Sequence, residues 1–525
     1  MSNNNHSLIL IKNSILVLFN TIFMFLTGWV ISIWVARQLG PSFYGIFTLV
    51  LWFTDSCTWF IAMGFTHAIT KFISEYKGKN ANELLTPIIV FVLKIELIFS
   101  IICILLLVFF RKEISSYFFN PQQAIFFTIA FIGILPGIIT AILSSAIDGI
   151  QKFEYFTLAN LIITPLSFIA KCVVLYLGKG IIGLLLVMLF FSFVNVIFYM
   201  FVLIKEKVIK KDELFKPLPK EIKKRILKYN FSVLAILFCD KIVWDKSENF
   251  FLGRLCVSEQ IGFFNLGFNL VQRLISFIPF MFWRVLFPAM SQYSGLKESD
   301  KMKRLYFLST RYIAFASFPT GIGGAILSYN IIHYLYGHQY IGAQHVLQIL
   351  FISSIFASLA NPASAVLYGY EKQSFIFKYG IILAAFNIIL DILLIKKYGA
   401  IGAAIAYALT TFFASTGGLY YTCHTMKLKF PFSSIFKILF STIIMGISME
   451  ILLLHKSNLV GFLLCIFCSP FIYLICSFVV GSFEKEDFIL LKSAEAVLPG
   501  KLKIIYGKTI KLISIFKPGK ENIEY

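Results

Sequence analysis

The chain alternates long apolar runs with short polar breaks, and the runs have the length that a bilayer selects. A helix of about 17–25 apolar residues rises far enough to cross the hydrocarbon core. Runs of that kind predict spans over 13–36, 43–66, 87–109, 123–147, 156–177, 182–204, 229–253, 261–288, 309–335, 343–368, 376–395, 400–423, 435–454 and 459–482. The pattern therefore predicts an all-α integral membrane protein of about 14 transmembrane helices, with both termini on the same side. The first run is too long for a signal-peptide core and lacks a small-residue cleavage site, so it is expected to stay as span 1.

The breaks decide orientation. Lys and Arg number about 30 on the side that holds both termini and about 8 on the other, which places the termini in the cytoplasm of a multi-pass cell-membrane protein. The densest break is 205–228, with ten basic residues and a Pro217-Leu218-Pro219 interruption, and it reads as a basic cytoplasmic linker between two halves. That division gives an N-lobe over 1–204 (spans 1–6) and a C-lobe over 229–423 (spans 7–12). Spans 13 and 14 follow over 424–482, and a basic cytoplasmic tail over 483–525. Part of the tail, Leu502 to Phe516, mixes apolar and basic residues as a surface-lying helix would.

Composition agrees and narrows the class. The chain is 58% hydrophobic and 14% charged, which excludes a soluble enzyme, and its net charge of +21 is spread over loops rather than gathered in a nucleic-acid-binding domain. The nine cysteines lie mostly inside apolar runs, where thiols act as small hydrophobes. The outer loops are too short for a catalytic domain, and no nucleotide or metal motif stands out, so neither an enzyme nor a cofactor is expected. His333, His338 and His345 sit among Tyr334, Tyr336 and Tyr340 as an interfacial belt.

An internal repeat supports the two halves. Gly149-Ile-Gln-Lys152-Phe-Glu-Tyr155 is answered by Gly369-Tyr-Glu-Lys372-Gln-Ser-Phe375, Gly180-Ile-Ile182-Gly183 by Gly399-Ala-Ile401-Gly402, and Tyr44-Gly45-Ile-Phe47 by Ile261-Gly262-Phe-Phe264. Equivalent positions are six spans apart, an even number, so the halves share one orientation and are related by an axis along the membrane normal.

Charge inside the spans marks the candidate chemistry. Span 7 carries Asp240, Lys241, Asp245, Lys246 and Glu248, and each charge at mid-bilayer costs roughly 2.5–3.5 kcal/mol without a partner or water. On a helical projection Ser247, Asp240, Phe251, Trp244, Glu248, Lys241 and Asp245 share an arc of about 160°. This face is expected to line a wet cavity, with the cation holding phosphate and the acids and Trp244 holding sugar. Lys246 falls outside the arc and is expected to snorkel. Arg273 lies halfway along span 8, too deep to snorkel, and its guanidinium suits two-point contact with phosphate. Asp55 in span 2 is the candidate for proton or Na⁺ coupling, as an uncompensated buried carboxylate, or else a partner of Arg37 or Lys241. Lys171 and Asp391 are read as members of ion pairs within each lobe, with Lys94 and Glu96 as candidate partners. Gly321-Ile-Gly-Gly324 is read as a site of close helix packing or of bending during transport.

Val35-Ala-Arg-Gln-Leu-Gly40-Pro41-Ser-Phe-Tyr44-Gly45-Ile-Phe47 resembles the entry signature of the polysaccharide-biosynthesis flippases, the O-antigen (Wzx-type) group of the multidrug/oligosaccharidyl-lipid/polysaccharide exporter superfamily. Lys71-Phe-Ile-Ser-Glu75-Tyr76, Gly149 to Asn160, and Asn387-Ile-Ile-Leu-Asp391 through Tyr398-Gly-Ala-Ile-Gly-Ala403 fit the same pattern. The resemblance implies two six-helix lobes around a central cavity, with two added C-terminal helices. It also implies a partner: a polyprenyl-(pyro)phosphate-linked oligosaccharide, moved from the cytoplasmic to the outer leaflet, with membrane lipids and glycan-assembly enzymes as further partners. Related lipid II flippases place basic residues in helices 1, 2 and 8, whereas span 1 here has none and span 2 offers Asp55, which points to a different lipid-linked glycan. A drug or cation antiporter of the same superfamily is the alternative, and a membrane glycosyltransferase or glycan polymerase is the lower one.

Overall fold

The computed structural model describes residues 2–62, 64–231, 247–275, 277–296, 298–484 and 487. Among the described residues all regular structure is helical, as a chain in lipid requires, since helices satisfy their own backbone polar groups. The long helices are α1 (Ser2–Ala62), α2 (Phe65–Gly78), α3 (Leu85–Phe109), α4 (Arg111–Phe118), α5 (Ala124–Gly149), α6 (Glu154–Tyr176) and α7 (Gly180–Lys205). They are followed by α8 (Glu248–Leu255), α9 (Ser258–Ile275), α10 (Phe277–Gly295), α11 (Ser299–Ile326), α12 (Gln344–Gly369), α13 (Gln373–Met426), α14 (Phe432–His455) and α15 (Leu459–Val479).

Two helices each carry two predicted spans. In α1, spans 1 and 2 meet at Gly40 (φ 72°, ψ 167°), and in α13, spans 11 and 12 meet at Gly399 (φ 55°, ψ −129°). Both conformations lie in the region that residues with a Cβ avoid, so one glycine turns the chain without a loop. Nine described helical stretches are long and apolar enough to cross a membrane, and the first (Phe19–Ala62) and seventh (Ser374–Met426) of them contain these double runs. Predicted span 7 falls largely outside the described residues, and α8 is its end.

The chain forms two compact units. The first comprises Met1–Leu274, Ile331–Leu350 and Ser374–Ala414. Its packing centres on α5, whose Phe127, Phe131, Ile134, Ile138 and Ile142 are buried. Small residues bring α2 and α5 together: Ser74 donates to the Gly149 carbonyl at 2.7 Å and Thr70 to the Ser145 carbonyl at 3.1 Å. On α3 the face bearing Val92, Glu96 and Ser100 is buried, while Ile98, Ile102 and Leu105 stay exposed as a lipid-facing side. Beyond the spans, Arg225 of the basic linker grips Glu75 of α2 with two bonds of 2.8 Å. Arg225 first and Lys79 second hold the Glu75 carboxyl down to about 2.

The second unit comprises Ile275–Asn330, Phe351–Gln373 and Ser415–Tyr525. Leu286 and Met290 pack with Met302, Tyr306 and Ile313 of α11 and with Ala363 and Val366 of α12. A second cluster joins Ala314 and Phe318 to Ile355, Leu359 and Ile438. The close packing expected at Gly321-Ile-Gly-Gly324 is present, since a Cβ on Gly321 or Gly324 would lie 2.5 Å from Ile355 or Phe351. The added helices α14 and α15 pack onto this unit, with Tyr473 donating to the Phe315 carbonyl at 2.9 Å.

Candidate substrate cavity and coupling site

Within the first unit, the Gly40 turn of α1 is clasped against the start of α9 and the loop before α12. Gly45 and Gly262, equivalent in the repeat, face each other backbone to backbone. A Cβ on Gly45 would lie 2.8 Å from the Gly262 nitrogen and nearer still to the Ser258 carbonyl. Beside them the hydroxyls of Ser42 and Ser258 are 3.1 Å apart. Pro41 has no N–H to offer the Arg37 carbonyl, and Gly40 has left the helical conformation, so two carbonyls are open to outside donors. Gln339 donates to the carbonyl of Arg37 at 3.1 Å and Tyr340, fully buried, to that of Ala36 at 2.7 Å.

From this seam α9 carries a polar face inward. Asn265 and Asn249 exchange amide bonds of 2.7 and 3.3 Å, fixing α9 to α8, and both are buried. Two turns further on stands Arg273, half-buried. Its guanidinium lies against Gly28 of α1, where any Cβ would collide with Nη1. The buried Tyr44 hydroxyl faces Ser32 and Asn269 and lies within electrostatic reach of Arg273, as does Tyr336, which adjoins Trp29. Among the described residues no carboxylate pairs with Arg273, which leaves a guanidinium with its full charge in a niche of hydroxyl, amide and aromatic groups. Span 1 brings no cation of its own, but its Gly28 makes room for one.

A second constellation joins α8 to the two halves of α13. Asp391 is fully buried. Its Oδ2 accepts from Ser247 at 3.1 Å and from Asn387 at 3.2 Å; Asn387 also donates to Ser247 at 2.7 Å and accepts from Thr410 at 2.7 Å. Asp391 Oδ1 has no hydrogen-bond partner. Three neutral oxygen-bearing side chains, Ser247 and Asn387 directly and Thr410 through Asn387, thus surround a carboxylate that no Lys or Arg among the described residues neutralises. Hard oxygens around an uncompensated negative charge are the donor set for a proton or a small hard cation.

The other predicted residues distribute as follows. Asp240, Lys241, Trp244 and Asp245 lie outside the described residues. Glu248 is 2% exposed and sits beside Tyr407, which accepts a 3.2 Å hydrogen bond from Gln272, so it belongs to the packing between helices rather than to an open wall. Asp55, expected to be buried and uncompensated, is exposed on α1 and has an interaction partner. Among the described residues the carboxylates buried within predicted spans are Glu96, Glu248 and Asp391. The ion pairs expected of Lys171 and Asp391 with Lys94 and Glu96 are not made: Asp391 is held by hydroxyl and amide groups, and neither Glu96 oxygen has a hydrogen-bond partner. Neutral donors meet a buried carboxylate without a second desolvated charge. Gly28 carried no signal in the sequence, because its role depends on which helix lies opposite. The i, i+4 pair Asn387 and Asp391 was visible as polar residues inside an apolar run.

These features define a class: a polytopic helical membrane protein with a transporter fold and a cationic niche inside its helices. Two solved structures share the fold. The lipid II flippase MurJ in an inward closed conformation superposes with a TM-score of 0.69 at 19% identity, covering 89% of this chain and 98% of that one. An inward-facing multidrug resistance MATE family transporter does so at 0.63 and 14%, covering 77% and 94%. At these identities the likeness concerns the fold alone. The particular family follows from sequence: the model for polysaccharide biosynthesis proteins matches residues 34–345, and the chain belongs to that family, which bears out the resemblance. Among its relatives, an uncharacterized membrane protein of Methanocaldococcus jannaschii is 24% identical over 401 residues, 72% of this chain and 77% of that protein. A probable low-salt glycan biosynthesis flippase of Haloferax volcanii is 26% identical over 161 residues, 31% and 34% of the two chains.

Proposed function

We propose that this protein is a flippase of the cell membrane that carries a polyprenyl-(pyro)phosphate-linked oligosaccharide from the cytoplasmic to the outer leaflet, for assembly of a surface glycan. Family membership supports the substrate class, and the observation that carries the reading is Arg273, a half-buried guanidinium seated on Gly28 with no carboxylate pairing it among the described residues. A phosphate placed there gains two charge-assisted hydrogen bonds in a poorly hydrated niche. The sugar follows into the polar space, and the polyprenyl chain stays in lipid. The seam at Gly45 and Gly262 closes the end that the positive-inside count assigns to the outside, so passage requires it to part while the other end closes.

The coupling ion, a proton or Na⁺, belongs at Asp391 rather than Asp55. Asp391 is buried with a free oxygen and three neutral oxygen-bearing neighbours, while Asp55 is exposed. Binding of a cation there would tighten Ser247, just before α8, against both halves of α13 and so favour one arrangement of these helices over the other.

The test is reconstitution into liposomes with defined polyprenyl-diphosphate oligosaccharides. Loss of a two-point phosphate contact costs about 3 kcal/mol, so Arg273→Ala should slow trans-bilayer movement roughly a hundredfold at limiting substrate. Absence of movement for every such lipid, together with uptake of a cationic drug, would sink the proposal.

A further inference from the structure

Arg311 has no part in the niche around Arg273, yet it is among the most buried large side chains of the second unit, 2% exposed about midway along α11. Its charge is met by the strap of chain that follows α15. Nη2 donates to Asp487, and Nη1 lies 2.5 Å from Glu484 without hydrogen-bond alignment. Other donors converge on the same strap. Tyr312 donates to Asp487 at 2.7 Å, Ser434 to Glu484 at 2.9 Å, and Lys437 to the Gly481 carbonyl at 3.0 Å.

Beside this cluster is a cavity of about 280 Å³ bounded by Arg311, Tyr312, Phe315, Ile438, Ser482 and Phe483, with Asp487 on its rim. The Ser482 hydroxyl in its wall is buried and has no hydrogen-bond partner. A buried donor left open is unusual and points to a ligand that would take it.

One guanidinium and two hydroxyls meet the two carboxylates, with Lys437 on the strap's Gly481 carbonyl and the Ser482 hydroxyl in the cavity wall beside them, and such a gathering of donors is the chemistry that recognises phosphate. Here two carboxylates of the chain stand in for it, and they do so incompletely, since one guanidinium nitrogen and one hydroxyl lack hydrogen bonds. The strap is also exchangeable, because the Glu484 side chain is 40% exposed and can return to water. The remaining wall is apolar, which fits a phosphate whose substituent is hydrocarbon. We propose that Arg311, Tyr312, Ser434, Lys437 and Ser482 form a binding site for a lipid phosphate, held shut by Glu484 and Asp487 until such a lipid displaces them. The site lies at the membrane face that the positive-inside count assigns to the cytoplasm. It does not depend on the role of Arg273, because a bilayer phospholipid and a polyprenyl phosphate both carry the required group.

Displacement of the strap is read by maleimide labelling of Phe483→Cys, resolved at the peptide level in the purified full-length protein. Polyprenyl monophosphate, phosphatidylglycerol and diacylglycerol are added in separate arms. A several-fold rise in labelling rate with polyprenyl phosphate alone identifies the carrier lipid, and a rise with both phosphates identifies a general lipid-phosphate site. Ser482→Ala should weaken the response about tenfold in lipid concentration, the worth of one charge-assisted hydrogen bond. Glu484→Gln with Asp487→Asn should retain more lipid phosphate than wild type in native mass spectrometry. If that variant does not fold, the labelling arms still decide the matter. No response to either phosphate, or an equal response to diacylglycerol, overturns the proposal.

Discussion

Adding one methyl group at Gly45 tests the seam directly. In Gly45→Ala the new Cβ would sit 2.8 Å from the Gly262 nitrogen, where ordinary contact begins at 3.4 Å, with the Ser258 carbonyl closer still. The obstacle is backbone on both sides, so no rotamer change relieves it and the α1 turn must separate from α9. Overpacking of this kind costs about 1–3 kcal/mol. The cost applies only while the seam is closed, so it shifts the balance toward an open seam by about 5- to 150-fold. The reporter is a disulfide between Ser42→Cys and Ser258→Cys, whose parent hydroxyls are 3.1 Å apart. In an otherwise unaltered chain a brief oxidant pulse should cross-link this pair readily and stop lipid movement until the bond is reduced. With Gly45→Ala added, the yield per pulse should fall by the stated factor. Gly262→Ala should act alike, and the two changes together should cost less than their sum, because either one parts the same surfaces. Unchanged cross-linking and transport in Gly45→Ala would refute the idea that this contact is the closure.

Two further outcomes follow from particular groups. Asp391→Asn should remove the dependence of transport on the proton or Na⁺ gradient while Asp55→Asn leaves it in place, measured as lipid movement with and without an imposed gradient; the reverse result would move the coupling site. Glu75 is a carboxylate whose folded value, about 2, lies below its ordinary 4.5. The stability it provides is therefore present above pH 4.5 and is lost as pH falls from there through about 2. The pair is largely exposed and screened by water, so the loss of stability in Arg225→Ala near pH 7 should be small. The gap between variant and wild type in thermal unfolding should shrink steadily as pH falls below 4.5, and a gap undiminished at pH 3 would exclude Glu75 as its source.

Much of this architecture is legible in the amino-acid pattern, because lipid imposes a length and a polarity that the chain must write out residue by residue. What the pattern hides are relations between helices. Gly40 and Gly399 looked like ordinary breaks, yet each turns the chain alone within a helix that runs on past it. Arg273 announced itself as a cation in an apolar run, but the glycine that seats it did not, since a missing methyl group has meaning only beside its neighbour. Asp391 was read as half of an ion pair because charge is the easiest partner to find in a sequence. Hydroxyls and an amide hold it instead, and such groups are scattered too widely to be matched by eye. The tail was read as basic from its eight lysines, and that count concealed the two acids at its start that reach Arg311.

The clasp beside Pro41 also bears on how this protein would respond to a systematic alanine scan. Two of its acceptors are main-chain carbonyls, present whatever side chains Ala36 and Arg37 carry; that of Arg37 is open because a ring nitrogen follows four residues on, and that of Ala36 because Gly40 leaves the helix there. Substitutions at those two positions would therefore leave the closure intact and mark the stretch as dispensable. Pro41→Ala restores a competing N–H for the Arg37 carbonyl while keeping the main-chain contact of residue 41 with Gly262, so a silent-looking segment would yield its phenotype at the proline.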